Sequence, residues 1–422
     1  FQAEDGIRDF CLSRGLGDVY KRQSIDSQSD EESFITPSSE IQYDMLNLLE
    51  KELKEFNLAN IKITEYGTLI ATVPGKIKGE AICFLAHVDT APQFNATNVK
   101  PRMIKNYDGS DIKFPDNDNL ILSPNEFSYL GEKIGHDIIT ASGKTLLGAD
   151  DKAGIAIIMT AVNFIVSNLD QNHSEIRIAF TTDEEIGKGV HKDLPKDLNV
   201  KFAYTFDGGK VGEIDNETFS ADSAEVIIKG VSIHPGEAKN EMVNATHLAS
   251  EIINNLPLKT MTPEVTEKRE GFIHATEMIG NSSEMKIKFI LRDFEIEGLD
   301  NKKEILKDVC KKIQNLEPRA KISISFKRQY RNMRYWLDEN KTPLEIAEKA
   351  LTNKNIKPIK KPIRGGTDGS LLTENGVPTP NIFTGMQNVH GPLEWISSTD
   401  MSLATEVMIE IIKLNSNLEA EK

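Results

Sequence analysis

Cysteine is nearly absent: three residues in 422, Cys11, Cys83 and Cys310, lie far apart in the chain. That excludes a disulfide-stapled scaffold and a thiolate metal site, and it fits a reducing compartment. Positive charge is also short, with 50 Lys and Arg against 65 Asp and Glu and a net charge of −15. A surface of that sign suits neither nucleic acid nor an anionic membrane. No stretch approaches the run of about 18 apolar residues that a membrane helix needs, and the opening residues do not read as a basic-then-apolar secretory leader. The expected compartment is the cytoplasm, and the expected partners are small soluble molecules.

The chain is long enough for two domains, and 39% hydrophobic residues can fill sizeable cores. Residues 1–23 stand apart, with three glycines, scattered charges and no sustained period. They read as non-native adapter-like sequence or as a disordered tail, and carry no weight in the fold. From about residue 38 apolar residues recur at three- and four-residue steps through Phe56, an amphipathic helix. A strand pair follows near 61–63 and 68–73, then an apolar run at 81–86 that stops in His87-Val88-Asp89-Thr90.

Open parallel sheets bind ligands beyond the carboxyl ends of their strands. Three more apolar runs end in metal-ligand residue types: 176–180 before Asp183-Glu184-Glu185, 202–206 before Asp207-Gly208-Gly209, and 380–383 before His390-Gly391. Between them, Leu147-Gly148-Ala149-Asp150-Asp151-Lys152-Ala153-Gly154 opens a helix that runs to about residue 168. One acid there can serve as N-cap, which leaves the other without a structural task. Any one of these endings could be a solvated turn; together they predict a site on a largely parallel sheet flanked by helices. Residues 220–328 read strand, helix, two strands, helix, strand, the ferredoxin-like order. Because His390 follows this block, it is predicted to be an α+β lid inserted between 24–219 and 329–422.

His87, Asp150, Glu185, Asp207 and His390 make a nitrogen and oxygen set suited to zinc, cobalt or manganese. Five ligands with one bridging carboxylate suit two divalent ions better than one, and Asp150 is the natural bridge. Asp89, two residues past His87, can orient the imidazole. Glu184 and Glu185 are adjacent, and in extended chain they would face opposite ways, one towards metal and one towards water.

These segments, with His234-Pro235-Gly236 and Arg364-Gly365-Gly366-Thr367-Asp368-Gly369, resemble the peptidase T family of tripeptide aminopeptidases. That family lies within the di-zinc metallopeptidase superfamily that also contains aminoacylases, glutamate carboxypeptidases and dipeptidases. The resemblance is collinear from about Ser24 to near the C-terminus and leaves out the first 23 residues, where the family has an amphipathic helix. It implies two zinc ions bridged by Asp150, with His87 and Asp207 on one and Glu185 and His390 on the other. It further implies Glu184 as general base, Asp89 as orienting acid and a cis peptide between Asp150 and Asp151. His234 would steady the oxyanion, and Arg292 and Arg364 would take the peptide's carboxylate or backbone, with domain closure completing the site. The substrates implied are short peptides with a free N-terminus, and the inserted domain is of a dimerisation type, so a homodimer is among the expectations. The rivals are a dipeptidase or N-acyl amino acid deacylase of the same superfamily and, from another class, a non-catalytic peptide-binding protein.

Overall fold

In a computed structural model of the chain, residues 22–168 and 172–420 are described. The reading of residues 1–23 therefore lies outside the described residues, except for Arg22 and Gln23. Both are buried, and Arg22 pairs with Glu52 at 2.6 Å on the first long helix, Gln42–Glu55. These two residues belong to the fold.

The larger unit centres on an eight-stranded sheet with spatial order Ala59–Ile63, Leu69–Val73, Ile176–Thr181, Ile82–His87, Ala203–Gly208, Asn381–Phe383, Glu213–Thr218 and Ile359–Ile363. The four strands from Ile176–Thr181 to Asn381–Phe383 run parallel, and their neighbours on either side run antiparallel. Ile82–His87 is buried at every position, as a central strand covered on both faces must be. The helix Ala149–Ser167 supplies one cover. Gly154 lets it approach, since a Cβ there would come within 2.0 Å of the Phe206 carbonyl oxygen. The helix Ser398–Ala420 packs against that helix.

The second unit, Glu217–Arg334 with Pro362–Gly366, contains an antiparallel sheet ordered Phe272–Gly280, Glu284–Asp293, Ser220–Lys229, Lys321–Tyr330. With helices Ala245–Asn255 and Ile296–Leu316, this is the ferredoxin-like arrangement expected. Its bounds are wider than 220–328. Glu217 is paired with Arg269 at 2.5 Å and with Arg334 at 3.3 Å, which draws both ends of the insertion into this unit. Pro362–Gly366 joins it because the Arg364 guanidinium donates to the carbonyls of Lys268 and Glu270 and to Thr266 Oγ1. Residues 102–140, for which the periodicity predicts nothing, form short strands over an aromatic cluster that includes Tyr107, Phe114, Tyr129 and Trp395. Among the described residues no helix is long and apolar enough to cross a membrane.

Gly154→Ala is expected to lower the unfolding free energy by about 1–3 kcal/mol, because a backbone carbonyl cannot yield as a side chain can. Denaturant titration checks this, and an unchanged midpoint would contradict the close helix–sheet approach.

Candidate metal centre

Each of the four parallel strands delivers an acid or an imidazole at its carboxyl end. His87 is the last residue of Ile82–His87, and Asp207 is next to last in Ala203–Gly208. The turn Glu184–Ile186 follows Ile176–Thr181, and His390 sits in the loop after Asn381–Phe383 with a left-handed φ of 64°. Asp150 enters from the helix side. The peptide between Asp150 and Asp151 is cis, as expected, and both residues lie outside helical φ/ψ. The helix proper thus begins after Asp151, whose Oδ1 accepts from the Gly154 N–H at 3.1 Å, the bond of an N-cap.

Asp150 divides its two oxygens between two imidazoles. Oδ1 lies 2.9 Å from His87 Nε2 and Oδ2 lies 3.1 Å from His390 Nε2. Around His87 stand Asp207 at 3.8 Å and Glu184 at 3.9 Å; around His390 stands Glu185 at 3.0 Å. The five predicted ligands therefore lie together, with Asp150 against both imidazoles and Glu185, beside His390, also within 4.8 Å of His87 and Asp150. Asp151 also has an oxygen close to His87 and Asp207. Its carboxylate is already committed to backbone, however, accepting from the His87 N–H at 3.3 Å as well as from Gly154.

The electrostatics call for cations here. Burial pushes the carboxyls of Glu184 and Asp207 well up, with neighbouring carboxylates adding to the push, and raises Glu185 to about 7. Burial acts the same way on Asp150, but hydrogen bonds with His390 and His87 outweigh it and hold this carboxyl below its ordinary range. Bonds to Asp150 and Glu185 raise His390 to about 11. Glu185 Oε1 is buried with no hydrogen-bond partner. Three carboxylates, two imidazoles and one orphaned oxygen make a donor set that fits two divalent ions.

Two local expectations change. Glu184 and Glu185 occupy a 3₁₀ turn, not extended chain, so they fan apart and reach different imidazoles. Asp89 is close to His87, but the nearest acceptor for Nδ1 is its backbone oxygen at 3.0 Å, with Oδ1 at 3.4 Å. A carbonyl only accepts, so Nδ1 carries a hydrogen, and Nε2 is the nitrogen that faces Asp150 and the centre. The Asp89 carboxylate also accepts from the N–H groups of Glu184 at 3.0 Å and Glu185 at 3.2 Å.

Several supporting residues were assigned no part from the sequence. Asp183 accepts from Ser38 and Gln42, tying the Glu184 turn to the start of the first helix. Asn381 clamps Asp207 from both sides, its Oδ1 accepting from the Asp207 N–H and its Nδ2 donating to the Asp207 carbonyl, each at 3.0 Å. Asp215 Oδ2 in turn accepts from Asn381 Nδ2 at 2.9 Å. Glu394 accepts from three N–H groups of the Asp150 loop. Asp368, within a quoted motif but with no assigned part, is buried and accepts from Thr181 Oγ1 at 2.6 Å.

The three predicted substrate residues lie in the second unit. His234 precedes a short 3₁₀ turn, where its Nδ1 accepts from the Gly236 N–H. Arg292 Nη1 donates to the Asp222 and Leu291 carbonyls and to Gln329 Oε1, and its guanidinium lies over the Tyr330 ring. Arg364 braces its own unit through the three bonds above and lies over the rings of Phe219 and Phe272.

Burial and the nearby Glu213 push Asp215 up to about 7 from 3.8. The folded chain holds that proton more tightly than the unfolded one, so the stabilisation is complete below about pH 4 and is lost as pH rises through about 7. Asp215→Asn should gain melting temperature relative to wild type over that interval at fixed metal. Parallel melting curves against pH would refute the assignment.

The model of "Peptidase family M20/M25/M40" matches residues 146–414. "Peptidase T" of Geobacillus thermodenitrificans is 45% identical over 392 residues, covering 92% of this chain and 95% of that protein. A crystal structure of a tripeptidase from Staphylococcus aureus superposes with a TM-score of 0.74 at 21% identity, covering 96% of this chain and 98% of that one. A dinuclear metal-binding peptidase of Bacillus subtilis, from the M20 family, superposes at 0.66 with 16% identity over 97% and 99% of the two chains. With the family model covering more than half of its length and a relative this similar along nearly all of it, the chain belongs to peptidase family M20/M25/M40.

Proposed function

We propose that the protein is a metal-dependent aminopeptidase that removes the N-terminal residue from short peptides, chiefly tripeptides. The observation that carries this reading is the division of Asp150 between two imidazoles with Glu184 beside one of them. His87 and Asp207 would hold one divalent ion and Glu185 and His390 the other, with Asp150 between, and zinc is the metal proposed. Bound there, two such ions supply Lewis acidity to the scissile carbonyl and acidify the attacking water.

Glu184 takes a proton from that water as its oxygen adds to the carbonyl carbon. As the C–N bond breaks, Glu184 returns the proton to the leaving amine nitrogen. Its burial suits it to carry a proton between these steps. Asp89 keeps it in place by accepting the backbone N–H groups of the turn. His234 is assigned to the oxyanion, and Arg292 and Arg364 to the peptide's carboxylate or backbone, on their motifs. Among the described residues Arg292 donates through Nη1, and Nη2 is proposed to meet a substrate oxygen. The acidic surface supports peptide over nucleic acid as partner, and two buried free cysteines support a cytoplasmic setting. A homodimer through the inserted domain is proposed on the family resemblance.

Stripping the metal should abolish hydrolysis, and zinc, cobalt or manganese should restore it. Turnover should favour free-amine tripeptides over N-acylated amino acids; activity confined to acylated substrates would make the protein a deacylase, and none with any metal would leave a binding protein. Glu184→Gln should retain both ions and lose about 10²- to 10⁴-fold in kcat. Asp150→Asn should lose metal, as elemental analysis after dialysis would show.

A further inference from the structure

Glu394 is 1% exposed and lies against the loop that carries Asp150. Its Oε2 accepts from the N–H groups of Leu147 at 2.6 Å and Gly148 at 2.9 Å, and its Oε1 accepts from the Asp150 N–H at 3.1 Å. Gly148 is left-handed, with φ 74° and ψ 30°. Such a residue turns successive N–H groups into a concave anion nest, and here the anion is the protein's own carboxylate. Glu394 also stands at the base of the loop that carries His390. Gln387 and Trp395 close that loop by exchanging backbone bonds of 2.9 and 3.1 Å, and the Glu394 N–H donates to Gly391 O at 3.2 Å. One side chain thus joins two loops whose ligands, Asp150 Oδ2 and His390 Nε2, face each other at 3.1 Å.

We infer that Glu394 is a positioning residue of the two-ion centre, holding the bridging carboxylate of Asp150 and the His390 imidazole at a fixed separation. This rests on the two-ion reading above. A purely structural acid would contribute to folding stability and leave metal affinity alone. The arrangement favours positioning because all three amides belong to the four residues that end at Asp150. Glutamine keeps the volume of Glu394 but has one acceptor oxygen; its NH₂ must face either the Asp150 N–H or the Leu147 and Gly148 pair. Aspartate keeps both oxygens and withdraws them by one methylene.

The test uses the full chain loaded with zinc. Metal content after dialysis, zinc affinity by competition with a chromophoric chelator, melting temperature, and KM and kcat for a tripeptide are measured for wild type, Glu394→Gln and Glu394→Asp. In Glu394→Gln the weaker zinc site should lose about 10- to 100-fold in affinity, the range usual for partners that orient metal ligands. Its kcat should fall with KM little changed, and added zinc should restore part of the loss. Glu394→Asp should fall between Glu394→Gln and wild type, and it decides the matter if the glutamine variant does not fold. Zinc affinities within about twofold of wild type, whatever the melting temperature, would overturn the inference. A wild-type chain that binds no divalent ion would instead overturn the two-ion reading, and this inference with it.

Discussion

Like-charge crowding is the constraint on which the structure depends. Asp150, Glu185 and Asp207 bring three carboxylates towards two imidazoles, the buried His87 and the more exposed His390, and burial acts against the ionised form of each acid. Such a cluster holds its geometry only if its backbones cannot retreat from one another and if positive charge enters between them.

The fold meets the first condition by gripping main chain with side chains drawn from elsewhere. Asn381 reads both the N–H and the carbonyl of Asp207 as a neighbouring strand would. Asp89 takes two amides of the Glu184 turn, and Asp183 fastens that turn to Ser38 and Gln42. Asp151 caps the helix behind Asp150, while Glu394 takes three amides ahead of it. Two groups can be told apart among the acids around His87, those that accept backbone amides and those that lie against the imidazoles. Asp150 and Asp151, adjacent in sequence, fall on opposite sides of that division.

Close packing serves the first condition as well. The parallel strands can present His87 and Asp207 side by side because Gly154 allows the helix to lie against the Phe206 carbonyl. In the second unit the same economy appears in Arg364, which braces residues 266–270 while lying across two phenylalanine rings.

Much of this was legible in the residues. Apolar runs breaking off at His87, Asp183 and Asp207 marked the ends of parallel strands, because a strand covered on both faces must be apolar and a ligand site must be polar. The ferredoxin-like order of the insertion followed from periodicity, clearest in Ser220–Lys229, Glu284–Asp293 and the two helices, which each bury one face. What periodicity could not show was any contact set by long-range folding: Glu394 beneath the Asp150 loop, Asn381 on Asp207, or the aromatic packing of residues 102–140. The sequence by itself determined which chemical groups arrive at the carboxyl ends of the strands, because alternation and breaks in hydrophobicity are local. Only the tertiary structure decided that Asp150 lies between two imidazoles and which side chains hold the surrounding backbones still, because those choices depend on hydrogen bonds between residues far apart in the chain.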